Sequence, residues 1–93
     1  MRWSLEHGMV VRRFATGSRS GPRVVWIHGL GESSVSFEPV VAKLPGYQHV
    51  LVDLPGYGRS PWPDGERGLD EIGAQLARWL DDEPPATIIG HSM

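Results

Sequence analysis

A serine that follows a short apolar run is the first candidate for chemistry in this sequence. The letters GHSM at residues 90–93 come directly after ATII at residues 86–89. A glycine two residues before a serine that leaves a strand is typical of the sharp strand-to-helix turn that exposes a nucleophilic hydroxyl, and this turn also needs a small residue two positions after the serine. Gly90 meets the first requirement, and the second falls on residue 94. The pattern indicates acyl transfer by Ser92, with the turn incomplete at residue 93.

Two more loops with suitable residues follow apolar runs earlier in the chain. The letters HGLG at residues 28–31 follow VVWI, and DLPGYGRS at residues 53–60 follows VLV. Ligands of open α/β sheets bind in the crevice outside the carboxyl ends of the strands, so we expect the three loops to meet at one edge. A serine hydroxyl is inert at neutral pH until a base takes its proton, so Ser92 needs partners there.

The elements that would position these loops form an α/β pattern. Strands predicted at residues 3–6 and 9–15 flank His7 and Gly8, which are typical of a tight hairpin turn. Apolar runs at residues 24–27, 50–52 and 86–89 predict three further strands, and the continuous run at 24–27 predicts burial on both faces. Because helical segments separate these runs, the sequence predicts an antiparallel hairpin followed by parallel strands alternating with helices.

Two segments have helical spacing. The first contains Phe37, Val40, Val41 and Leu44, with Pro39 acceptable in its first turn. The second has an apolar face that we expect to pack on the sheet and a polar face opposite. The apolar face consists of Leu69, Ile72, Leu76, Trp79 and Leu80, and the polar face of Asp70, Glu71, Gln75, Arg78 and Asp82. The tryptophans and the remaining apolar residues are expected in the core.

The composition limits the classes of partner. The chain has 93 residues, of which 40% are hydrophobic and 22% charged, as in a soluble globular domain. A net charge of -2 and a single lysine, Lys43, argue against nucleic acid and anionic lipid as partners. The absence of cysteine excludes disulfides and thiolate metal sites. Because the sequence has no run of about 18 apolar residues and no signal-like start, we expect no membrane partner and a cytoplasmic location.

The three loops, taken in this order, resemble the α/β-hydrolase family over nearly the whole chain. The resemblance implies that residues 1–93 are the N-terminal half of an α/β-hydrolase domain, through the nucleophile elbow. It makes Ser92 the nucleophile and the backbone N–H groups of Leu30 and Met93 the oxyanion donors, each worth roughly 3–4 kcal/mol in favourable cases. No metal or organic cofactor is implied, because the mechanism needs only serine, base, acid and oxyanion donors.

The same resemblance implies that part of the machinery is missing. In the family the triad acid and histidine come after the nucleophile, so we expect the chain to be truncated and inactive alone. The implied activity is that of an esterase, lipase or C–C hydrolase on a small acyl or carbonyl substrate. A serine at position 92 disfavours branches with an aspartate nucleophile, such as haloalkane dehalogenases and most epoxide hydrolases. The strand at 86–89 would be an unpaired apolar edge that a second chain or the missing C-terminal half would cover.

Several other polar residues have a simpler structural explanation. His28 is expected to hold its loop by hydrogen bonds rather than to act as the base. Asp53 resembles the residue that shapes the turn after its strand in this family, not the triad acid. We assign no chemical role to His91. His7 and His49 are expected to be exposed, since they lie in a turn and at a strand start.

Of three alternative functions, two remain open and one, the GTPase, fails. The first is a dinucleotide-binding fragment, because GLGESS at residues 29–34 follows a strand and Asp53 ends the next one, although Ser34 replaces the third glycine. The second, a GTPase, lacks a phosphate-binding loop, because Lys43 follows alanine rather than glycine. The third is an inactive remnant, or a half-domain that a partner chain completes.

Overall fold

A computed structural model describes residues 2–15, 21–29, 31–61 and 68–91 of the chain. The fold class is the predicted one, with an antiparallel hairpin before alternating strands and helices. Within these ranges the elements are, in chain order, β1 (Arg2–Glu6), β2 (Met9–Ala15), β3 (Arg23–Ile27), a 3-10 turn (Ser34–Phe37), α1 (Glu38–Val41), β4 (Gln48–Asp53), α2 (Leu69–Asp81) and β5 (Thr87–Gly90).

The strands form one mixed sheet in the order β1-β2-β4-β3-β5. β1 pairs with β2, and β2 with β4, in antiparallel fashion. β3 pairs in parallel with β4 on one side and β5 on the other. The carboxyl ends of β4, β3 and β5 therefore lie side by side at one edge of the sheet, with β3 in the middle.

The hairpin between β1 and β2 closes through a two-residue turn. His7 has a φ of 49° and Gly8 a φ of 77°, so both residues adopt left-handed backbone conformations. Two such residues form the turn whose twist matches that of the flanking strands, and glycine accepts this conformation readily. The predicted strands and turn are thus confirmed.

Apolar side chains cover both faces of β3 and β4, as the continuous run in β3 predicted. On one face, Trp79 of α2 packs against a cluster that includes Met9, Val11 and Val50. On the other face, Phe37 and Val41 pack against Val24, Trp26 and Leu51. Full burial of side chains of this size contributes about 1.5–3 kcal/mol each. The two helical segments therefore hold the sheet between them.

The first predicted helix is shorter than its spacing suggested. Only one α-helical turn follows the 3-10 turn, and Val40 is exposed rather than packed. Lys43 and Leu44 donate their N–H groups three residues back, to Val40 and Val41, which tightens and ends the helix. Pro45 follows, and proline disfavours helical conformation in the residue before it.

Some large apolar side chains lie on the surface. Trp3 and Leu5 of β1 are both about 60% exposed (61% and 60%), so the expectation that the apolar residues lie in the core was wrong for them. In β5, Ile88 and Ile89 are also exposed, and every residue of the strand is. β5 is an outer strand of the described sheet, in agreement with the predicted apolar edge.

Candidate functional site

The predicted site residues Ser92, Met93 and Leu30 lie outside the described residues, but their chain neighbours are described. β3 ends at Ile27, whose Cα is in register with Val52 of β4 and with Gly90 of β5. Neighbouring strands lie about 4.8 Å apart, so the loops after β4, β3 and β5 start within two strand spacings. The structure thus brings the three loop starts to one edge, as predicted.

Gly90 occupies the position before the predicted elbow. A Cβ atom at Gly90 would meet no atom within 4 Å in the described part of the chain. The steric reason for a small residue there therefore does not come from these residues. His91, the next residue, donates its backbone N–H to the carbonyl oxygen of Ile27 at 3.0 Å. This bond extends the pairing of β5 with β3 by one residue towards Ser92.

Asp53 organises the loop after β4. Its side chain is buried, and its two oxygens accept the backbone N–H groups of Ser34 at 2.8 Å and Arg59 at 3.1 Å. Gly58 has a φ of 53°, and a Cβ there would lie 2.5 Å from the carboxylate carbon of Asp53. The carboxylate is thus fully occupied with backbone groups, which agrees with a turn-shaping role.

Ser60 joins this loop to the hairpin. Its hydroxyl donates to the carbonyl oxygen of Asp53 at 2.5 Å and accepts the backbone N–H of Val10 at 2.8 Å. Ser60 belongs to the segment DLPGYGRS, but no pattern in that segment indicates its contact with a strand 50 residues earlier. The loop of residues 53–60 is therefore held to β2 as well as to itself.

His28 connects the loop after β3 with the loop after β4. Its ring is fully buried, Nε2 accepts the backbone N–H of Leu54 at 3.0 Å, and Nδ1–H donates to the carbonyl oxygen of Gly29 at 2.8 Å. The N–H of Leu54 can only donate and the carbonyl of Gly29 can only accept, so Nε2 is the acceptor of this ring and Nδ1 the donor. Both nitrogens are engaged, and the expectation that His28 holds its loop is confirmed.

Glu32 connects the loop after β3 with the segment after β5. Its Oε2 accepts the backbone N–H of Gly29 at 3.1 Å and a hydrogen bond from Nδ1 of His91 at 3.0 Å. The hydrogen bond from His91, followed by that from Gly29, lowers the pKa of Glu32 below its ordinary value. No sequence pattern indicates this role for Glu32, and His91 had no predicted role.

His49 is not where the sequence suggested. The expectation of solvent exposure was wrong, because its ring is fully buried beside Trp26 and Leu44. The indole N–H of Trp26 donates to Nδ1 at 3.0 Å, and Nε2–H donates to the carbonyl oxygen of Leu44 at 2.9 Å. A buried tryptophan needs an acceptor for its N–H, and His49 supplies it. His7 is exposed as expected and lies 2.8 Å from the carboxylate of Asp82.

The geometry of the loop after β3 does not fit a dinucleotide. A pyrophosphate would need free N–H groups at the start of the helix. The N–H of Ser34 is bound to the carboxylate of Asp53, and the N–H of Ser36 to the carbonyl oxygen of Ser33. The negative charge of Asp53 also stands where a phosphate would bind. The glycine pattern at residues 29–34 is therefore better explained by the turn that Asp53 and Glu32 hold.

Neither a metal centre nor a membrane span is found in the described ranges. Their His, Asp and Glu side chains form no group of three that could hold a metal ion. Of the helices described, none has the length and apolar character needed to cross a membrane.

Comparison with known proteins places the chain in a large group. The model of the alpha/beta hydrolase family matches residues 24–93. A 2-succinyl-6-hydroxy-2,4-cyclohexadiene-1-carboxylate synthase from Yersinia pestis (strain Pestoides F) is 38% identical over 61 residues, which are 66% of this chain and 22% of the synthase. The chain thus spans about a fifth of the length of the curated relatives that it matches.

Solved structures with different activities share this backbone. An esterase from Mycobacterium tuberculosis is 29% identical, with a TM-score of 0.76 over 98% of this chain and 32% of the esterase. A haloalkane dehalogenase from Agrobacterium tumefaciens C58 is 27% identical, with a TM-score of 0.77 over 89% of this chain and 28% of the dehalogenase. Because both scores are equally high, the backbone of this region does not distinguish between these activities.

Proposed function

The chain belongs to the alpha/beta hydrolase family, and we propose that it carries the nucleophile and oxyanion donors of a serine hydrolase for a small acyl or carbonyl substrate. One observation carries the proposal. The hydrogen bond from His91 to Ile27 continues β5 alongside β3 up to the residue before Ser92. β5 thus ends at the edge of the sheet where the loops after β3 and β4 also begin.

In the proposed mechanism, the hydroxyl of Ser92 attacks the carbonyl carbon and the oxyanion accepts the N–H groups of Leu30 and Met93. Such donors act best when they are fixed before the reaction, because no reorganisation is then needed. The carbonyl of Gly29 is held by the ring of His28 at 2.8 Å and by the N–H of Glu32 at 3.2 Å. These two contacts support a rigid loop at the proposed oxyanion site.

The identity of residue 92 supports the serine branch of the family. Haloalkane dehalogenases and most epoxide hydrolases use an aspartate, and the backbone does not separate them from esterases. The residue type at position 92 distinguishes the serine branch from the aspartate branch, and here it is serine.

We further propose that these 93 residues do not react alone. The nitrogens of His28 and His49 are engaged in the protein interior. His7 lies in the turn of the hairpin, and β2 is three strands from β5, or about 14 Å. The base and acid of the proposed mechanism would then come from residues outside positions 1–93.

The test uses two proteins, the 93-residue chain and the product of the complete reading frame that contains it. Each is treated with a fluorophosphonate probe, and adducts are located by mass spectrometry, with Ser92→Ala as the control. We expect rapid labelling of Ser92 in the complete product and none in the 93-residue chain. Labelling of the short chain would refute its inactivity. If Ser92 is labelled in neither protein, its role as the nucleophile is refuted and an inactive remnant is favoured.

A second candidate is the reaction of the synthase relative, formation of 2-succinyl-6-hydroxy-2,4-cyclohexadiene-1-carboxylate. It is favoured by the 38% identity over 61 residues. The complete product would be assayed for this compound by mass spectrometry beside a panel of small esters. Formation of the compound without ester hydrolysis would favour the synthase reaction over the esterase one.

A further inference from the structure

Glu32 contacts Gly29 and His91, which lie in the chain segments that lead to the two parts of the proposed oxyanion site. A single oxygen, Oε2, accepts the N–H of Gly29 at 3.1 Å and a hydrogen bond from Nδ1 of His91 at 3.0 Å. Gly29 immediately precedes Leu30, and His91 immediately precedes Ser92. The chain positions of Glu32 and His91 differ by 59, so this carboxylate is a direct link between two loops that are distant in sequence.

The two peptide groups that flank Gly29 are each held by hydrogen bonds. The N–H of Gly29 is bound to the carboxylate of Glu32, and its carbonyl oxygen accepts from the ring of His28 and from the N–H of Glu32. In a trans peptide the carbonyl and the following N–H point in opposite directions. A fixed carbonyl of Gly29 would therefore set the direction of the N–H of Leu30, the proposed donor.

The segment after β5 depends on the same carboxylate. The backbone N–H of His91 is anchored to Ile27, but its side chain is 59% exposed. Among the described residues, Glu32 is the hydrogen-bond partner recorded for this ring. The side chain of Glu32 is itself 35% exposed, and exposed ion pairs contribute little to stability. Its contact is therefore better suited to setting a position than to holding the fold together.

We propose that Glu32 is a positioning residue that, through Gly29 and His91, sets the distance between the loop bearing Leu30 and the turn bearing Ser92 and Met93. This inference rests on the proposed function. Oxyanion donors must lie about 2.7–3.1 Å from the developing charge. Because a misplacement of about 1 Å can cost roughly 100-fold in rate, loss of the link should lower kcat more than it changes KM.

The experiment measures ester hydrolysis by the complete product with Glu32→Ala, His91→Ala and the double variant. We expect Glu32→Ala to lower kcat by about 10- to 100-fold with KM little changed. The double variant should fall no further than Glu32→Ala, because both changes remove the same link. His91→Gln, whose amide can donate to Glu32, should recover much of the activity that His91→Ala loses. Glu38→Gln, a surface glutamate paired with Arg12, is the matched control and should leave kcat unchanged.

Two further variants separate the outcomes. Glu32→Leu keeps nearly the size of the side chain but has no acceptor oxygen, so it replaces Glu32→Ala if that protein does not fold. Ser92→Ala tests the proposed function in parallel. Activity that needs Ser92 but is unchanged in the Glu32 variants would overturn the positioning role alone. Activity that persists in Ser92→Ala would overturn the proposed function, and the role of Glu32 with it. Multiplying losses in the double variant would show that Glu32 does not act through His91.

Discussion

Two carboxylates at the same edge of the sheet are held in opposite ways. Asp53 is buried, and each of its carboxylate oxygens accepts a backbone N–H group. Glu32 is partly exposed and uses one oxygen for a backbone N–H and an exposed histidine ring. Removal of Asp53 leaves amide groups unpaired in the interior, whereas water can replace Glu32. Asp53 therefore holds its own loop in shape, whereas Glu32 joins two loops to each other.

The largest loss of stability is expected when the buried carboxylate of Asp53 is removed. Asp53→Ala should lower the free energy of unfolding by about 3 kcal/mol, because a buried hydrogen bond from Ser34 and a partly buried one from Arg59 are lost. Urea denaturation followed by tryptophan fluorescence would measure the change. Asp81→Asn, on the exposed surface of α2, should stay within about 0.5 kcal/mol of the wild type. If the two variants lose the same free energy of unfolding, the buried hydrogen bonds of Asp53 do not contribute to stability.

The next largest effect is expected at Gly58, which faces Asp53. Gly58→Ala places a methyl group against the carboxylate in a left-handed conformation, and should cost about 2 kcal/mol. Gly73→Ala is the matched control, since a Cβ there would meet nothing within 4 Å and the residue lies inside α2. That change should instead stabilise the protein by about 0.5–1 kcal/mol. A neutral Gly58→Ala would contradict the close packing around Asp53.

A smaller effect is expected from acid, and it contrasts Glu32 with a more protected glutamate, Glu6. Burial acts to raise the pKa of Glu6, but hydrogen bonds from Ser4 and Trp79 and the charge of Arg13 outweigh it and leave the pKa below its ordinary value. The pKa of Glu32 is lowered as well. A lowered pKa in the folded state means stability that is present above the ordinary pKa and is lost as the pH falls through the lowered one.

The urea midpoint should therefore fall as the pH drops below the ordinary range of glutamate. Glu6→Gln should flatten this dependence, because the partly buried pair of Glu6 and Arg13, at 2.6 Å, is less screened by water. Glu32→Gln should flatten it less, since solvent screens that side chain. A larger effect at Glu32 than at Glu6 would contradict a mainly positional role for Glu32.

The smallest effect on stability is expected at the apolar edge. Ile88→Lys changes a side chain that is 51% exposed, so the free energy of unfolding should stay within about 0.5 kcal/mol. Self-association of the 93-residue chain, measured by light scattering, should decrease because a charge on an edge strand opposes pairing with other chains. Val40→Lys, exposed on α1 away from any strand edge, is the control and should leave the scattering unchanged.

Local sequence patterns predict most of the fold. The burial of a residue is not predicted where it depends on a partner that is distant in the sequence. The turn at His7 and Gly8, the apolar runs and the face of α2 each depend on neighbours within a few residues, so periodicity predicted them. The burial of His49 depends on Trp26, 23 residues earlier, and no pattern in its own strand indicates that. The first helix is shorter than predicted for a local reason. Lys43 and Leu44 bond three residues back, and Pro45 disfavours helical conformation at Leu44.

The candidate site divides in the same way. The residues 28–31 and 53–60 were recognised as loops at the ends of strands, and His28 and Asp53 received the roles that their contacts now support. Glu32 was missed because its partner lies 59 positions away, in a segment that carries no periodic signal. Ser60 was missed as a link for the same reason, since it binds Val10 across 50 positions.

The strand order also has a consequence for the way the chain emerges during synthesis. β4 lies between β2 and β3, yet it is made after both. When residues 1–47 have left the ribosome, the β1–β2 hairpin and β3 are present. The strand that pairs with both, β4, is not yet available. Arrival of residues 48–53 lets both pairings form together, and Asp53, the last residue of that strand, then binds Ser34. Pairing of the first four strands during translation should thus occur in one step, soon after residue 53 leaves the exit tunnel.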